Sequence, residues 1–158
     1  MVPVSLRAVV HQVALEMALA AVNKEIDLSL EAEHDVLVHG QALLLHELVA
    51  NLVDNALHYT PAGGSVTLRV ARRGDDGGAL LQVEDSGAGI AAAERERVFT
   101  PFYRAAAALE RNPGGAGLGL AIVRDIAALH HAGVTLADGA GGRGLRVTVA
   151  FQAVDGAA

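Results

Sequence analysis

The strongest hydrophobic pattern in the chain covers residues 41–59, where apolar residues recur with helical spacing. It predicts an amphipathic helix that ends before the turn sequence at residues 61–64. Glu47, Asn51 and Asn55 interrupt the pattern at i, i+4 and i+8, so they stack along one side of the helix. An unpaired buried polar group costs about 1–3 kcal/mol, so we expect a polar ligand against this polar stripe. A metal–phosphate group fits, because Mg²⁺ prefers oxygen ligands and a neutral Asn does not repel a polyphosphate.

The rest of the chain alternates between helical and strand periodicity. We predict, in order, a helix opened by Pro3 and Ser5, strands over 26–31 and 35–39, a hairpin from 65–72 and 79–84, a short helix over 92–98, a helix over 118–131, and a second hairpin from 134–137 and 145–151. Residues 99–116 are expected to form a mobile loop or a partial helix, and the tail from Asp155 to fray. Hairpins separated by helices indicate an α+β layer fold, with helices covering one sheet face.

Composition narrows the class of protein. A chain of 158 residues is expected to form one domain with a real core. It contains no cysteine, which excludes disulfides and thiolate metal sites. The net charge of −6, with Lys and Arg scattered, argues against a nucleic-acid partner. No secretion signal or membrane-spanning stretch is recognisable, so we expect a cytoplasmic protein.

Two glycine-rich segments carry candidate binding chemistry. A predicted strand ends near Asp85, before a turn in which Gly87 and Gly89 let a flat ligand approach the backbone. The Asp85 carboxylate can accept hydrogen bonds from an exocyclic amine such as that of adenine. Residues 114–120 precede a helix, so free amides and the helix dipole converge where a phosphate could bind. A third cluster, at residues 139–144, is interpreted as a plain hairpin loop.

Four segments, taken together, resemble the N, G1, F and G2 boxes of sensor histidine kinases. They are residues 51–56, 85–90, 99–104 and 115–120, in the order that the family has them. The opening helix and its strand pair also resemble the start of the family's catalytic ATP-binding domain, so the likeness covers nearly the whole chain. It implies the Bergerat fold of the GHKL ATPases and kinases. That fold is a two-layer α/β sandwich, whose mixed, mostly antiparallel sheet is covered on one face by about three helices.

The resemblance implies ATP and Mg²⁺ as cofactors. Asn55 is expected to bind Mg²⁺, with Asn51 supporting the metal or the phosphates, while Glu47 is a candidate polarising partner. Arg104 is expected to contact the terminal phosphates. Asn51 could instead cap a local kink, and Arg104 could be an ordinary surface residue.

Further residues are expected to line the nucleotide pocket. His58 stands where the family usually has a cation facing phosphate, and Tyr59 where an aromatic ring lies against adenine. Asp85 is expected to bind the adenine amino group directly. The remaining expected pocket residues are Gly87, Gly89, Ile90, Gly115, Gly117, Leu118 and Gly119. Purely structural roles are also open for two of these residues: His58 could be a solvated helix end, and Tyr59 could be a half-buried core ring.

The implied activity is transfer of the ATP γ-phosphoryl group to a histidine on a separate dimerisation domain, which then donates to a response regulator. No phosphoacceptor helix is recognisable, so we expect residues 1–158 to be one catalytic domain, monomeric when isolated, whose parent is anchored in the bacterial inner membrane. Three alternatives remain. A gyrase- or chaperone-type ATPase would need an activating Glu where Asn51 stands. An anti-sigma-type serine kinase would share the nucleotide pocket. A non-enzymatic nucleotide sensor would lose its Mg²⁺ ligands.

Overall fold

The computed structural model describes residues 1–74, 77–100 and 119–154. In this part of the chain there are three α-helices and seven strands. The helices are α1 (Leu6–Asn23), α2 (Ala42–Tyr59) and α3 (Gly119–Leu129). The strands are β1 (Val2–Ser5), β2 (Asp27–Glu31), β3 (Leu37–Gly40), β4 (Ser65–Arg72), β5 (Ala79–Asp85), β6 (Gly133–Asp138) and β7 (Leu145–Phe151). Residues predicted as a short helix over 92–98 instead form two 3-10 turns, Ala92–Glu94 and Arg97–Phe99.

The strands form a five-stranded sheet in the order β2-β4-β5-β7-β6 and a two-stranded sheet of β1 and β3. Only β2 and β4 pair in parallel among these described strands, so the main sheet is mixed and mostly antiparallel, as predicted. Both predicted hairpins, β4–β5 and β6–β7, are confirmed. β2 and β3 do not pair with each other. β3 pairs with β1, a strand absent from the sequence prediction because it has only four residues and includes Pro3, which cannot donate a ladder hydrogen bond.

Burial alternates along the central strands, which shows that one face of the sheet is covered. Val66, Leu68 and Val70 of β4 are buried, and the residues between them are partly exposed. α2 packs its apolar side against this face through seven buried residues: Leu45, Leu48, Val49, Leu52, Val53, Ala56 and Leu57. The two-layer α/β architecture that the sequence predicts is therefore confirmed. Among the described residues, no helix combines the length and apolar character needed to cross a membrane.

Residues from other elements hold both ends of α2. At its start, the N-cap residue is Gln41, whose side chain makes no capping hydrogen bond. The Gln41 backbone N–H instead donates to Nε2 of the buried His130 at 3.2 Å. At its end, the Lys24 ammonium donates to the carbonyls of Leu57 at 2.6 Å and His58 at 2.8 Å. A cation at a helix C-terminus satisfies carbonyls that have no partner within the helix and complements the helix dipole. These contacts fix the position of the polar stripe.

Candidate functional site

The polar stripe of α2 faces the start of α3. A Cβ atom built on Gly119 would lie 3.8 Å from the amide oxygens of both Asn51 and Asn55, so the two oxygens border the same space. The Asn51 amide nitrogen donates to the Glu47 carbonyl at 2.8 Å, which leaves its oxygen directed toward Gly119. Gly119 is the first described residue of α3, and the N-terminal end of a helix carries the positive end of its dipole. This space therefore suits a cation bound together with an anionic group.

Glu47 lies one turn before Asn51 on the same stripe, and its side chain is exposed. Its backbone carbonyl holds the Asn51 amide. The stripe predicted from the sequence thus exists as a row of three polar side chains. The polarising role of Glu47 stays a prediction.

Asp85 ends β5, beside the stripe, and opens the Asp85 turn (residues 85–90). Its Oδ1 atom accepts the backbone N–H groups of Gly87 at 2.9 Å and Leu145 at 3.3 Å. In the described part of the chain, its Oδ2 atom accepts no hydrogen bond. Burial raises the pKa of Asp85 and the charge of Glu84 adds to this, while the two backbone donors act in the opposite direction. One carboxylate oxygen is therefore held by the protein and the other is left for an external donor.

The Asp85 turn packs directly against the end of α2. A Cβ on Gly87 would lie 2.7 Å from the Tyr59 carbonyl oxygen, so a larger residue would push the turn away from the helix. Gly89 has a φ of +74°, and a Cβ there would lie 2.7 Å from the Gly144 carbonyl oxygen. Ile90 is half-buried against the core. The helix with the asparagines and the turn with the carboxylate therefore meet in one region.

His58 and Tyr59 lie at the end of α2, where the Asp85 turn contacts it. Tyr59 is half-buried and His58 is exposed. The two rings make an edge-to-face contact, with centroids 5.1 Å apart and an interplanar angle of 86°. Their expected contacts with adenine and phosphate remain predictions.

Several expected site residues lie outside the described part of the chain: Arg104, Gly115, Gly117 and Leu118. Their expected contacts with nucleotide therefore stay predictions. Gly119 belongs to the predicted phosphate-binding segment, residues 114–120, and lies in the described part of the chain. It borders both Asn51 and Asn55.

The glycine cluster at residues 139–144, which we call the β6–β7 loop, is indeed a hairpin loop, but it also supports the site. A Cβ on Gly144 would overlap the Asp85 carbonyl oxygen, and Gly144 has a φ of +70°. Leu145, the next residue, donates its N–H to the Asp85 carboxylate. Sequence reasoning missed this role because the loop and Asp85 are about 60 residues apart. The available signal was a glycine directly before the last strand, at position 144, where a positive φ accompanies a close approach to the Asp85 backbone.

The donor set fits Mg²⁺ held largely by amide oxygens. Among the described residues, no group of three or more His, Cys, Asp or Glu side chains could hold a metal ion. His130 is buried, with Nδ1 2.8 Å from the Ile126 carbonyl and Nε2 accepting from the Gln41 backbone N–H, so both ring nitrogens have protein partners. The converging Asn51 and Asn55 oxygens are neutral, so they complement a cation whose charge a polyphosphate would balance.

Residues 40–155 match the protein family described as histidine kinase-, DNA gyrase B-, and HSP90-like ATPase. The chain belongs to this family, and membership supports the use of ATP. It is 45% identical over 147 residues to the sensor protein kinase PmrB of Pseudomonas aeruginosa, covering 93% of this chain and 30% of PmrB. It is 39% identical over 130 residues to the sensor-like histidine kinase SenX3 of Mycobacterium tuberculosis, covering 82% of this chain and 31% of SenX3. The chain thus spans about a third of these curated relatives.

Solved structures of histidine kinases share the fold. The mycobacterial sensor histidine kinase MprB superimposes with a TM-score of 0.82 at 31% identity, covering 95% of this chain and 97% of that one. Full-length ShkA in complex with AMPPNP superimposes with a TM-score of 0.78 at 29% identity, covering 96% of this chain and 31% of ShkA. The GHKL type of fold expected from the four motifs is therefore confirmed.

Proposed function

We propose that this chain is the catalytic ATP-binding domain of a sensor histidine kinase and that Mg-ATP binds where α2, the Asp85 turn and the start of α3 meet. One observation carries the proposal. The Asn51 and Asn55 oxygens border Gly119, and the same helix ends against Gly87 of the Asp85 turn. This arrangement supports a site whose metal-and-phosphate end lies at Asn51 and Asn55 and whose adenine end lies at the Asp85 turn. The AMPPNP bound to ShkA is consistent with this assignment.

At the adenine end, the free Oδ2 atom of Asp85 would accept a hydrogen bond from the exocyclic amine. The carboxylate is fixed by Gly87 and Leu145, so little side-chain entropy is lost on binding. Guanine carries a carbonyl oxygen where adenine carries this amine, and that oxygen would repel the carboxylate. The site should therefore favour ATP over GTP.

At the phosphate end, Asn55 and Asn51 would hold Mg²⁺, and the first amides of α3 would donate to phosphate oxygens. The bound ion would neutralise phosphate charge and orient the terminal phosphoryl group. Arg104 would add a positive charge there. The residues of this chain contribute mainly by binding and orienting the nucleotide, because phosphoryl transfer needs little covalent assistance from the protein.

We propose that the acceptor is a histidine on a separate dimerisation domain of a longer, membrane-anchored parent, with a response regulator as the next acceptor. A histidine nitrogen would form a bond to the γ-phosphorus, while the bond between that phosphorus and the β,γ-bridging oxygen breaks and the oxygen leaves with ADP. We also propose that residues 1–158 form one domain, monomeric when isolated.

Titration calorimetry with ATP, with and without Mg²⁺, tests the binding step. Phosphoryl transfer is tested by mixing the domain with labelled ATP and the parent's dimerisation domain, then measuring acid-labile phosphohistidine. We expect Mg²⁺-dependent binding and label on the dimerisation domain only. Steady phosphate release without that domain would favour the ATPase alternative, and acid-stable label on a serine-containing partner would favour the serine kinase.

A further inference from the structure

Glu84 immediately precedes Asp85, points to the open face of the sheet and is only 9% exposed. Its Oε1 atom accepts hydrogen bonds from Arg69 at 2.8 Å and Arg146 at 2.9 Å. Its Oε2 atom accepts the backbone N–H of Ala140 at 2.8 Å. Ala140 is the first residue of a 3-10 turn in the β6–β7 loop. The carboxylate therefore ties this loop to the end of β5.

The same loop contacts the backbone of Asp85 from the other side. A Cβ on Gly144 would collide with the Asp85 carbonyl oxygen, and a Cβ on Gly139 would lie tightly against the same oxygen, at 3.2 Å. Gly144 also supports Gly89, and Leu145 donates to the Asp85 carboxylate at 3.3 Å. Glu84 itself has no proposed contact with the nucleotide. Its contacts nevertheless converge on the group assigned to adenine.

We propose that Glu84 is a positioning residue for purine recognition, acting through the Ala140 N–H and the β6–β7 loop to hold the Asp85 carboxylate in place. This inference rests on the proposed function, because it gives Glu84 a role only if Asp85 contacts the base. The loop is anchored at Ala140 and leads directly into Leu145, the first residue of β7, whose N–H donates to Oδ1. Release of the anchor should let that donor move away and leave the carboxylate free to rotate.

Such a role has a signature that a purely structural role lacks. Inosine triphosphate has a carbonyl oxygen in place of the adenine amine, so it cannot donate to Asp85. A positioned carboxylate should distinguish ATP from inosine triphosphate, and a mobile one should distinguish them less. General loosening of the domain would weaken both nucleotides equally.

The contact can be broken from either end. Glu84→Gln leaves one acceptor oxygen, which cannot serve both the arginines and the Ala140 amide. Ala140→Pro removes the N–H and leaves the Glu84–arginine contacts intact. Proline is tolerated at the first position of a helical turn, and the preceding Gly139, with φ −72° and ψ −175°, has the extended conformation that a following proline requires. Glu31→Gln is the matched control, since Glu31 shares Arg69 with Glu84 and contacts no residue of the loop.

Dissociation constants for ATP and inosine triphosphate are measured by calorimetry on folded parent and variants, with melting temperatures as the folding check. We expect both variants to bind ATP about five- to tenfold more weakly, or roughly 1 kcal/mol, with inosine triphosphate little changed. The double variant should lose no more than either single one, and Glu31→Gln should retain the parent's preference.

Measurements on the parent test the adenine role of Asp85, and measurements on the variants test the positioning role of Glu84. A parent that binds both nucleotides equally would contradict the adenine role of Asp85 itself. A parent that prefers ATP, with variants that keep its preference or lose affinity for both nucleotides equally, would overturn the positioning role alone. If Glu84→Gln does not fold, Ala140→Pro still decides the question.

Discussion

The two asparagines of α2 are held differently, although their oxygens border the same space. Asn51 is fixed by its hydrogen bond to the Glu47 carbonyl. The Asn55 side chain makes no hydrogen bond to a described residue, so its amide is the group that a ligand must satisfy. Asn51 thus has a structural partner even without nucleotide, whereas the main contribution of Asn55 should appear on binding.

Asn55→Ala should abolish most Mg²⁺-dependent nucleotide binding and leave the fold intact. Loss of even an outer-shell partner of a metal ligand typically lowers metal affinity by about 10- to 100-fold, so loss of the ligand itself should cost at least as much. No side-chain hydrogen bond to a described residue is lost with this substitution. Calorimetric titration with ATP, with and without Mg²⁺, measures the effect. Asp54→Ala is the matched control, because Asp54 is the exposed neighbour on the same helix. A folded Asn55→Ala protein with undiminished Mg-ATP binding would contradict the assignment.

Asp85→Asn should weaken ATP binding without lowering stability at neutral pH. Burial raises the pKa of Asp85, so the protonated form favours folding, and this stability is lost as the pH rises through the folded-state pKa. Asn keeps an oxygen for Gly87 and Leu145 but carries no charge. We expect ATP binding to fall by about 1–3 kcal/mol. The variant's melting temperature should equal or exceed the parent's at pH 7, with a smaller advantage near pH 4. A lower melting temperature at pH 7 would show that the charged carboxylate stabilises the fold.

At the scale of elements, the end of α2 depends on a residue at the end of α1. Lys24 bonds the Leu57 and His58 carbonyls, and burial lowers its pKa. Lys24→Met keeps most of the apolar stem but leaves these carbonyls without their donor, which should lower the free energy of unfolding by about 1–2 kcal/mol. Urea unfolding measures this. Arg7→Met, which removes an exposed cation from the first turn of α1, is the control. Equal stability of the two variants would show that solvent replaces the cap.

Elements with a clear period could be predicted from the sequence, and their pairing could not. α2 and the strands of both hairpins have enough residues for periodicity and turn residues to locate them. The parallel pairing of β2 with β4 is set by packing between distant segments, which local patterns do not report. The same limit applies at the site. Asn51, Asn55, Asp85 and Gly87 follow from motifs, whereas the support that Glu84 and Gly144 give to Asp85 depends on contacts made only in the folded chain.

At the scale of the whole molecule, a charge network connects four strands on the open face of the sheet. Glu31 of β2 bonds Arg69 of β4, which bonds Glu84 of β5, and Glu84 also bonds Arg146 of β7. Glu84 is its buried centre, with a side chain 10% exposed, against 61% for Glu31. A buried carboxylate with three donors stabilises only while it is charged, because its donors lose their acceptor on protonation. The network should therefore make stability depend on pH.

Burial alone would raise the pKa of Glu84, but hydrogen bonds from Arg69, the Ala140 amide and Arg146 outweigh it and lower the pKa from 4.5 to about 2. A lowered pKa means that the stabilisation is full above the unfolded-state value and is lost as the pH falls from about 4.5 through about 2. The difference corresponds to roughly 3 kcal/mol at most. Glu84→Gln should therefore unfold at lower urea concentration than the parent at pH 7, and the two proteins should converge near pH 2. Glu31→Gln, at the exposed end of the network, should differ little from the parent throughout. A gap between Glu84→Gln and the parent that stays constant with pH would mean that Glu84 stabilises the sheet by packing rather than by its charge.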